Sequence, residues 1–164
     1  MKTVLFEENH PVHIKETFLA MITGSIGSNQ YCFLYIDHPE GPKDVIGNGD
    51  LACALFVSSI LTLCTLIEGG VHTTVDETVK DLKESGWIPA FEPCAGAIVI
   101  WSTKLSNSDK LMHRHIGLCI NERHAVSTNP VKRSPQRHGI WSLKTHTGEE
   151  RKVEGYYIHP DLHF

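Results

Sequence analysis

The pattern of apolar and polar positions divides the chain into a helical first half and a strand-rich second half. Over residues 12–23, Val12, Ile14, Phe18, Leu19 and Ile22 recur at helical spacing, and the Gly- and Ser-rich run 24–29 ends the pattern. Residues 31–36 read as a strand or extended segment, and His38-Pro39-Glu40-Gly41-Pro42 as a turn. The longest apolar stretch, residues 51–67, predicts a buried core helix with Asp50 as its N-cap and Gly69-Gly70 as its stop. Thr74 and Glu77 make a capping box for another helix, whose inner face carries Val75, Val79 and Leu82 and which Gly86 ends. Beyond it the period falls to two, with short strands expected at 97–101, 115–120, 125–128, 139–143 and 153–158. Helices followed by strands predict an α+β domain in which the long apolar helix lies on an antiparallel sheet of about five strands.

A length of 164 residues suits one domain, residues 1–164, with 1–44 an N-terminal helix and extended segment and 45–160 the core. A net charge of −4, with Lys and Arg scattered along the chain, leaves no footprint for nucleic acid. Lys132, Arg133 and Arg137 read as one solvated basic loop. The five cysteines, at 32, 53, 64, 94 and 119, are odd in number and contain no CxxC pair, which predicts reduced thiols and a cytoplasmic setting. Residues 1–8 turn acidic at Glu7, after too few apolar residues for a secretory leader. The run 51–67 is interrupted by Ser58, Ser59, Thr62 and Thr65 and is short for a membrane span. The expectation is therefore a cytoplasmic protein with no membrane partner, export by a dedicated route being the alternative.

The candidate chemistry centres on Cys53, which opens the longest apolar stretch in Asn48-Gly49-Asp50-Leu51-Ala52-Cys53-Ala54-Leu55-Phe56-Val57. A helix N-terminus carries partial positive charge, which lowers a thiol pKa and favours the thiolate. About sixty residues on, His115 heads the strand His115-Ile116-Gly117-Leu118-Cys119-Ile120 and offers an imidazole to complete a nucleophile–base pair. These segments resemble the NlpC-type cell-wall peptidases, a papain-like superfamily that includes the CHAP amidases. Cys53-Ala54-Leu55-Phe56-Val57 is similar to the family's nucleophile helix, usually Asp-Cys-Ser-Gly-Phe-Val. The segment from Glu92 to Trp101 is similar to the first core strand with its leading Pro-Gly-Asp, and the His115 strand is similar to His-Val-Gly-Ile-Tyr-Ile. The resemblance covers residues 45–160. It departs from the family at Ala52, at Ala54-Leu55 and at Ala97, where the family has Asp, Ser-Gly and Asp. Cys before His is the non-permuted order, whereas lecithin–retinol acyltransferase-like relatives place His first.

The family's third catalytic residue orients the His from the neighbouring strand. With Glu122-Arg123 as the turn, Asn121 faces His124 and His115 faces Pro130. His124 then lies six residues along the ladder from His115, roughly 20 Å away and too far for a hydrogen bond. Ser127 and Asn129 share the face of His115 and rank above His124. Ser127 stands at the family's usual spacing, and Asn129 is the closer analogue of the orienting Asn of papain-like enzymes. His72 and Trp101 are candidate walls of a substrate cleft, with a surface loop the plainer reading of His72. His113, His115 and Cys119 alternate onto one strand face, but no fourth zinc ligand is evident, so no metal is expected.

The resemblance implies a papain-like fold and hydrolysis of an amide bond through a thioester on Cys53, with His115 as base and no cofactor. It also implies a peptide substrate, foremost a peptidoglycan stem peptide or a related small peptide with a D-Glu or diaminopimelate unit. Three alternatives stay open: another papain-like activity (CHAP-type amidase, deamidase or acyltransferase), an inactive descendant that binds peptide or protein, and a metal-binding domain.

Overall fold

In a computed structural model, which describes residues 11–106, 109–145 and 147–162, the apolar run after Asp50 forms a helix buried on almost every side. This is α2, Cys53–Leu63, and it packs beside α1, Ile14–Gly24, and α3, Val75–Glu84. The two-residue strands β1, Tyr35–Ile36, and β2, Lys43–Asp44, make a small hairpin. The main sheet is wholly antiparallel and has six strands: β3, Ile88–Ala90; β4, Ile98–Leu105; β5, Met112–Cys119; β6, His124–Asn129; β7, Ser134–Gly139; and β8, Val153–Ile158. Their spatial order is β3-β8-β4-β5-β6-β7. The chain is thus α+β, as its pattern predicts, with no helix among the described residues long and apolar enough to cross a membrane. Residues 1–8, on which the expectation about a leader rests, lie outside the described residues.

Period-two alternation puts the two faces of the sheet to different uses. Ile98, Ile100, Ile116, Leu118 and Val126 face the helices and join Phe18, Phe56 and Leu61 in the main core. Val99, Trp101, Cys119 and Ala125 face the other way and pack with Ile140 and Tyr156 in a second core.

Four expectations need correction. The strand expected at 139–143 is instead β7, Ser134–Gly139, a polar segment that alternation does not reveal. β3, unforeseen, raises the strand number to six. Both are edge strands carrying a proline, Pro135 and Pro89, which sheets tolerate only where an N–H is not needed. Of residues 31–36, only Tyr35 and Ile36 pair. The long helix has Ala52, not Asp50, at its N-cap position, with no side-chain cap, and it stops at Leu63, because Thr65 takes a left-handed φ of 56° and Leu66 N–H bonds back to Leu61 O at 2.9 Å. That reversal carries Leu66 and Ile67 into the core, which explains why the apolar pattern outlasts the helix. The capping box is present, Thr74 Oγ1 accepting the Glu77 N–H at 3.2 Å.

What aims α2 is the loop before it. The Asp44 carboxylate accepts N–H groups from Leu34 (3.1 Å), Ile46 (3.0 Å) and Asn48 (2.8 Å). Burial alone would raise its pKa; the N–H bonds outweigh that and hold it below the usual carboxylate range. Gly49, at φ 90°, lies so close to the β6–β7 turn that a Cβ would sit 3.1 Å from Arg133 Cβ. Asp44→Ala is expected to lower stability by about 1–2 kcal/mol through loss of charge-assisted bonds. Urea unfolding checks this, and a variant as stable as the wild type would mean that the loop is held by the Gly49 contact instead.

Candidate active site

Cys53 is the first residue of α2, and no side chain caps the helix at Ala52. The N–H groups of Cys53 and Ala54 therefore border the sulfur instead of bonding a capping oxygen. A third donor comes from the sheet. Cys119 N–H points to β4, bonding Ala97 O at 2.7 Å, so by alternation the N–H of Ile116 points toward β6. The β5–β6 ladder, however, pairs only Leu118 with Val126 and Cys119 with Ala125. Beyond that the strands part, and the Ile116 N–H meets the Cys53 thiol at the gap. This register is one residue away from the one a Glu122-Arg123 turn predicts. Ile120 N–H bonds His124 O at 2.9 Å, and Asn121 Oδ1 holds the N–H groups of Arg123 and His124, each at 2.8 Å, so the turn starts at Asn121.

His115 lies opposite Trp101 on β4 and lines the same cleft as Cys53, a cavity of about 1010 Å³. Its Nε2 is 2.9 Å from Ser127 Oγ, and Ser127 Oγ is 2.7 Å from His138 Nε2, whose ring Nδ1 meets Gly139 O at 3.0 Å. Ser127 thus occupies the position beside the imidazole. Asn129 also lines the cleft, but its Oδ1 is taken by the N–H groups of Val131 and Lys132, each at 2.9 Å, and closes the β6–β7 turn. His124 sits at the far end of β6, 3.2 Å from Asn121 Oδ1.

Neither expected cleft wall lines the cavity. His72 binds Asp81 at 2.7 Å, and its N–H meets Ser58 Oγ at 2.9 Å, so it ties the loop after α2 to α3. Trp101 is fully buried behind the site, donating Nε1–H to Ile140 O at 2.8 Å. Its ring lies 5.5 Å from that of His115 and 5.4 Å from that of His138, a backing for both. Of the alternating trio, His113 is engaged by Asp109 at 2.7 Å and Cys119 is buried in the second core. Among the described residues no group of three or more His, Cys, Asp or Glu is placed to hold a metal ion.

The strand motif His115-Ile116-Gly117 has a steric reason. A Cβ on Gly117 would lie 2.8 Å from Val126 O and 2.9 Å from both Ser127 Cβ and Trp101 Cζ3. Only glycine lets β5 pass this close to the two residues that flank His115.

Electrostatics sets the resting state against the sequence expectation. Burial raises the Cys53 pKa more than the Ile116 and Ala54 N–H groups and the charge of Arg151 lower it. Burial, with Arg151 and His138 nearby, pushes His115 down to about 3. The pair rests as a thiol and a neutral imidazole. Two residues here escaped the sequence reading. Arg151 lines the cleft and is anchored by Nη1–H bonds to Ser102 O (2.6 Å) and His113 O (3.1 Å). His138 sits on polar β7, just past the basic loop of Lys132, Arg133 and Arg137, and the pairing of β6 with β7 brings it beside Ser127. A comparison with protein-family models finds no match, and a comparison with curated proteins finds none either.

Gly117→Ala is expected to cost about 1–3 kcal/mol by overpacking and to part Ser127 from His115; urea unfolding with a histidine-ring NMR spectrum checks both. A second expectation concerns acid. The unfolded chain protonates His115 near its ordinary 6.5, the folded protein only near 3, so stability present at neutral pH is lost as the pH falls through that window. Between pH 7 and 4.5 the loss from this group is roughly 1–3 kcal/mol, and His115→Gln removes it. Equal pH slopes for variant and wild type would refute that assignment.

Proposed function

We propose that the protein is a cysteine hydrolase that cleaves an amide bond through a thioester, a divergent papain-like enzyme of the NlpC type. The observation that carries this reading is the shared cleft: a thiol at the first residue of an uncapped helix, and an imidazole bonded to Ser127 across a gap in the sheet. In this mechanism the Cys53 thiol proton passes to His115 as Sγ bonds the substrate carbonyl carbon. The oxyanion that forms is met by the N–H groups of Cys53 and Ala54, while Arg151 adds positive charge nearby. His115 then gives its proton to the leaving amine, the C–N bond breaks and a thioester remains. Water, deprotonated by His115, attacks the thioester and restores the thiol.

A neutral imidazole keeps one ring nitrogen unprotonated, and that lone pair takes the thiol proton as Sγ attacks. The cleft also favours an acidic peptide. Its described lining carries Arg114, Lys132, Arg137, Lys144 and Arg151 against Asp50 and Asp76, in a chain of net charge −4. That charge balance and the NlpC resemblance together favour carboxylate-bearing wall peptides as substrate, met in the cytoplasm or after dedicated export.

The test is iodoacetamide alkylation from pH 6 to 9, with each cysteine mapped by mass spectrometry, followed by incubation with peptidoglycan stem peptides. Cys53 is expected to react well ahead of half-buried Cys94, with a rate that rises with pH. His115→Ala is expected to lower that rate by about 100-fold, and Cys53→Ala to abolish amine release from the peptides. A Cys53 no faster than Cys94, in either background, sinks the hydrolase reading.

A further inference from the structure

We propose that His138 is a positioning residue that dictates which nitrogen of His115 is the base, acting through Ser127. For its catalytic consequence the inference rests on the hydrolase reading; for its mechanism it rests on the hydrogen-bond chain alone.

The argument starts at the end of the chain furthest from the cleft. Gly139 O can only accept, and it also receives the Ser142 N–H at 3.3 Å, so the His138 Nδ1 that meets it at 3.0 Å must carry the hydrogen. Burial keeps His138 neutral, with the nearby His124 acting in the same direction against the Gly139 bond. A neutral imidazole protonated on Nδ1 has a bare Nε2. That Nε2 lies 2.7 Å from Ser127 Oγ, so the serine hydroxyl donates to it. The hydroxyl has one hydrogen, and once it is committed to His138 only lone pairs face His115. His115 Nε2, 2.9 Å away, must therefore be the donor. The neutral His115 ring then has its hydrogen on Nε2 and a bare Nδ1, the nitrogen left to take the Cys53 proton.

Each link has one available polarity, and the direction of the whole chain is set by a carbonyl that cannot donate. Without His138, the Ser127 hydroxyl is free to turn its hydrogen toward His115 Nε2. That stabilises the other tautomer, with hydrogen on Nδ1, which has no lone pair to offer the thiol. Trp101 supports the arrangement sterically: wedged against both imidazoles and tethered to Ile140 O, it opposes the ring flips that would exchange nitrogen and carbon positions.

Long-range 1H–15N correlation spectra of the histidine rings in the full-length protein at pH 7 test this directly, on wild type, His138→Phe and His138→Gln. Gln is chosen because its side-chain oxygen can still accept from Ser127. The wild type is expected to show His115 protonated on Nε2 and His138 on Nδ1. In His138→Phe, His115 is expected to become a mixture of tautomers, and Cys53 alkylation to slow about tenfold. In His138→Gln, both the single tautomer and the rate are expected to return. His115 protonated on Nδ1 in the wild type overturns the proposal, as does an unchanged single tautomer in folded His138→Phe. Should the Phe variant fail to fold, a mixed His115 tautomer in His138→Gln overturns it too. The tautomer readout is independent of catalysis: an inert wild-type Cys53 with the expected tautomers sinks the hydrolase reading and leaves the positioning geometry supported.

Discussion

The separation of β5 from β6 is the constraint on which the site depends. A continuous sheet would consume the Ile116 N–H in its ladder and wall off the helix face from the face that carries His115. Because the pairing stops at Leu118 and Val126, a thiol on the helix side reaches the plane of the strands and lies one residue from an imidazole on the opposite side. The gap has its own supports. Gly117 allows β5 to run tight against Trp101 and Ser127 just where it leaves its neighbour, and the Asn129 side-chain oxygen Oδ1 holds the β6–β7 turn in place on the other rim. The nucleophile and the base thus come from two layers of the fold that meet only at this opening.

Burial and the charge of Arg151 act on the two partners in different ways. Desolvation penalises both charged forms, so neither the thiolate nor the imidazolium is favoured at rest. Arg151 favours the thiolate and disfavours the imidazolium, since its positive charge attracts one and repels the other. Its place is fixed by two backbone carbonyls from β4 and β5, so the field it exerts is built into the sheet and does not wait for a substrate.

Much of this was legible in the sequence, and the rest was hidden for identifiable reasons. The buried helix and strands β4, β5 and β6 follow from local apolar runs, because those elements supply most of the two cores, and the capping box at Thr74 follows from its own residue types. Cys53 stood out because sequence marks a helix start, and His115 because it opens the apolar part of a strand that itself starts at Met112. Ser127 was reachable from the family's usual spacing after the His, whereas the hairpin count was one residue out of register. His138 was not: β7 is an edge strand that buries little and contains Pro135, so its polar string reads as loop. Arg151 was hidden because it acts from the segment just before β8, far along the chain, and nothing local distinguishes it from other solvated cations. The expected low thiol pKa failed because a helix terminus was weighed without the burial that surrounds it, and the cap was misplaced because Asp50 is chemically apt while the N-cap position falls two residues later, at Ala52.

The edge strand has a last consequence, which concerns assembly. β7 closes one side of the main sheet, where an open row of backbone groups would invite another chain to add a strand. On this strand Pro135 has no N–H to offer, and its carbonyl already accepts the Gly27 N–H at 2.9 Å from the segment after α1. A few residues away the Cys32 thiol meets Arg133 O at 2.9 Å, so the same N-terminal segment grips both the strand and the turn before it. The segment from Gly27 to Cys32 therefore acts as a cover on the sheet's margin, opposing strand-to-strand association of copies at the side of the molecule where the cleft opens.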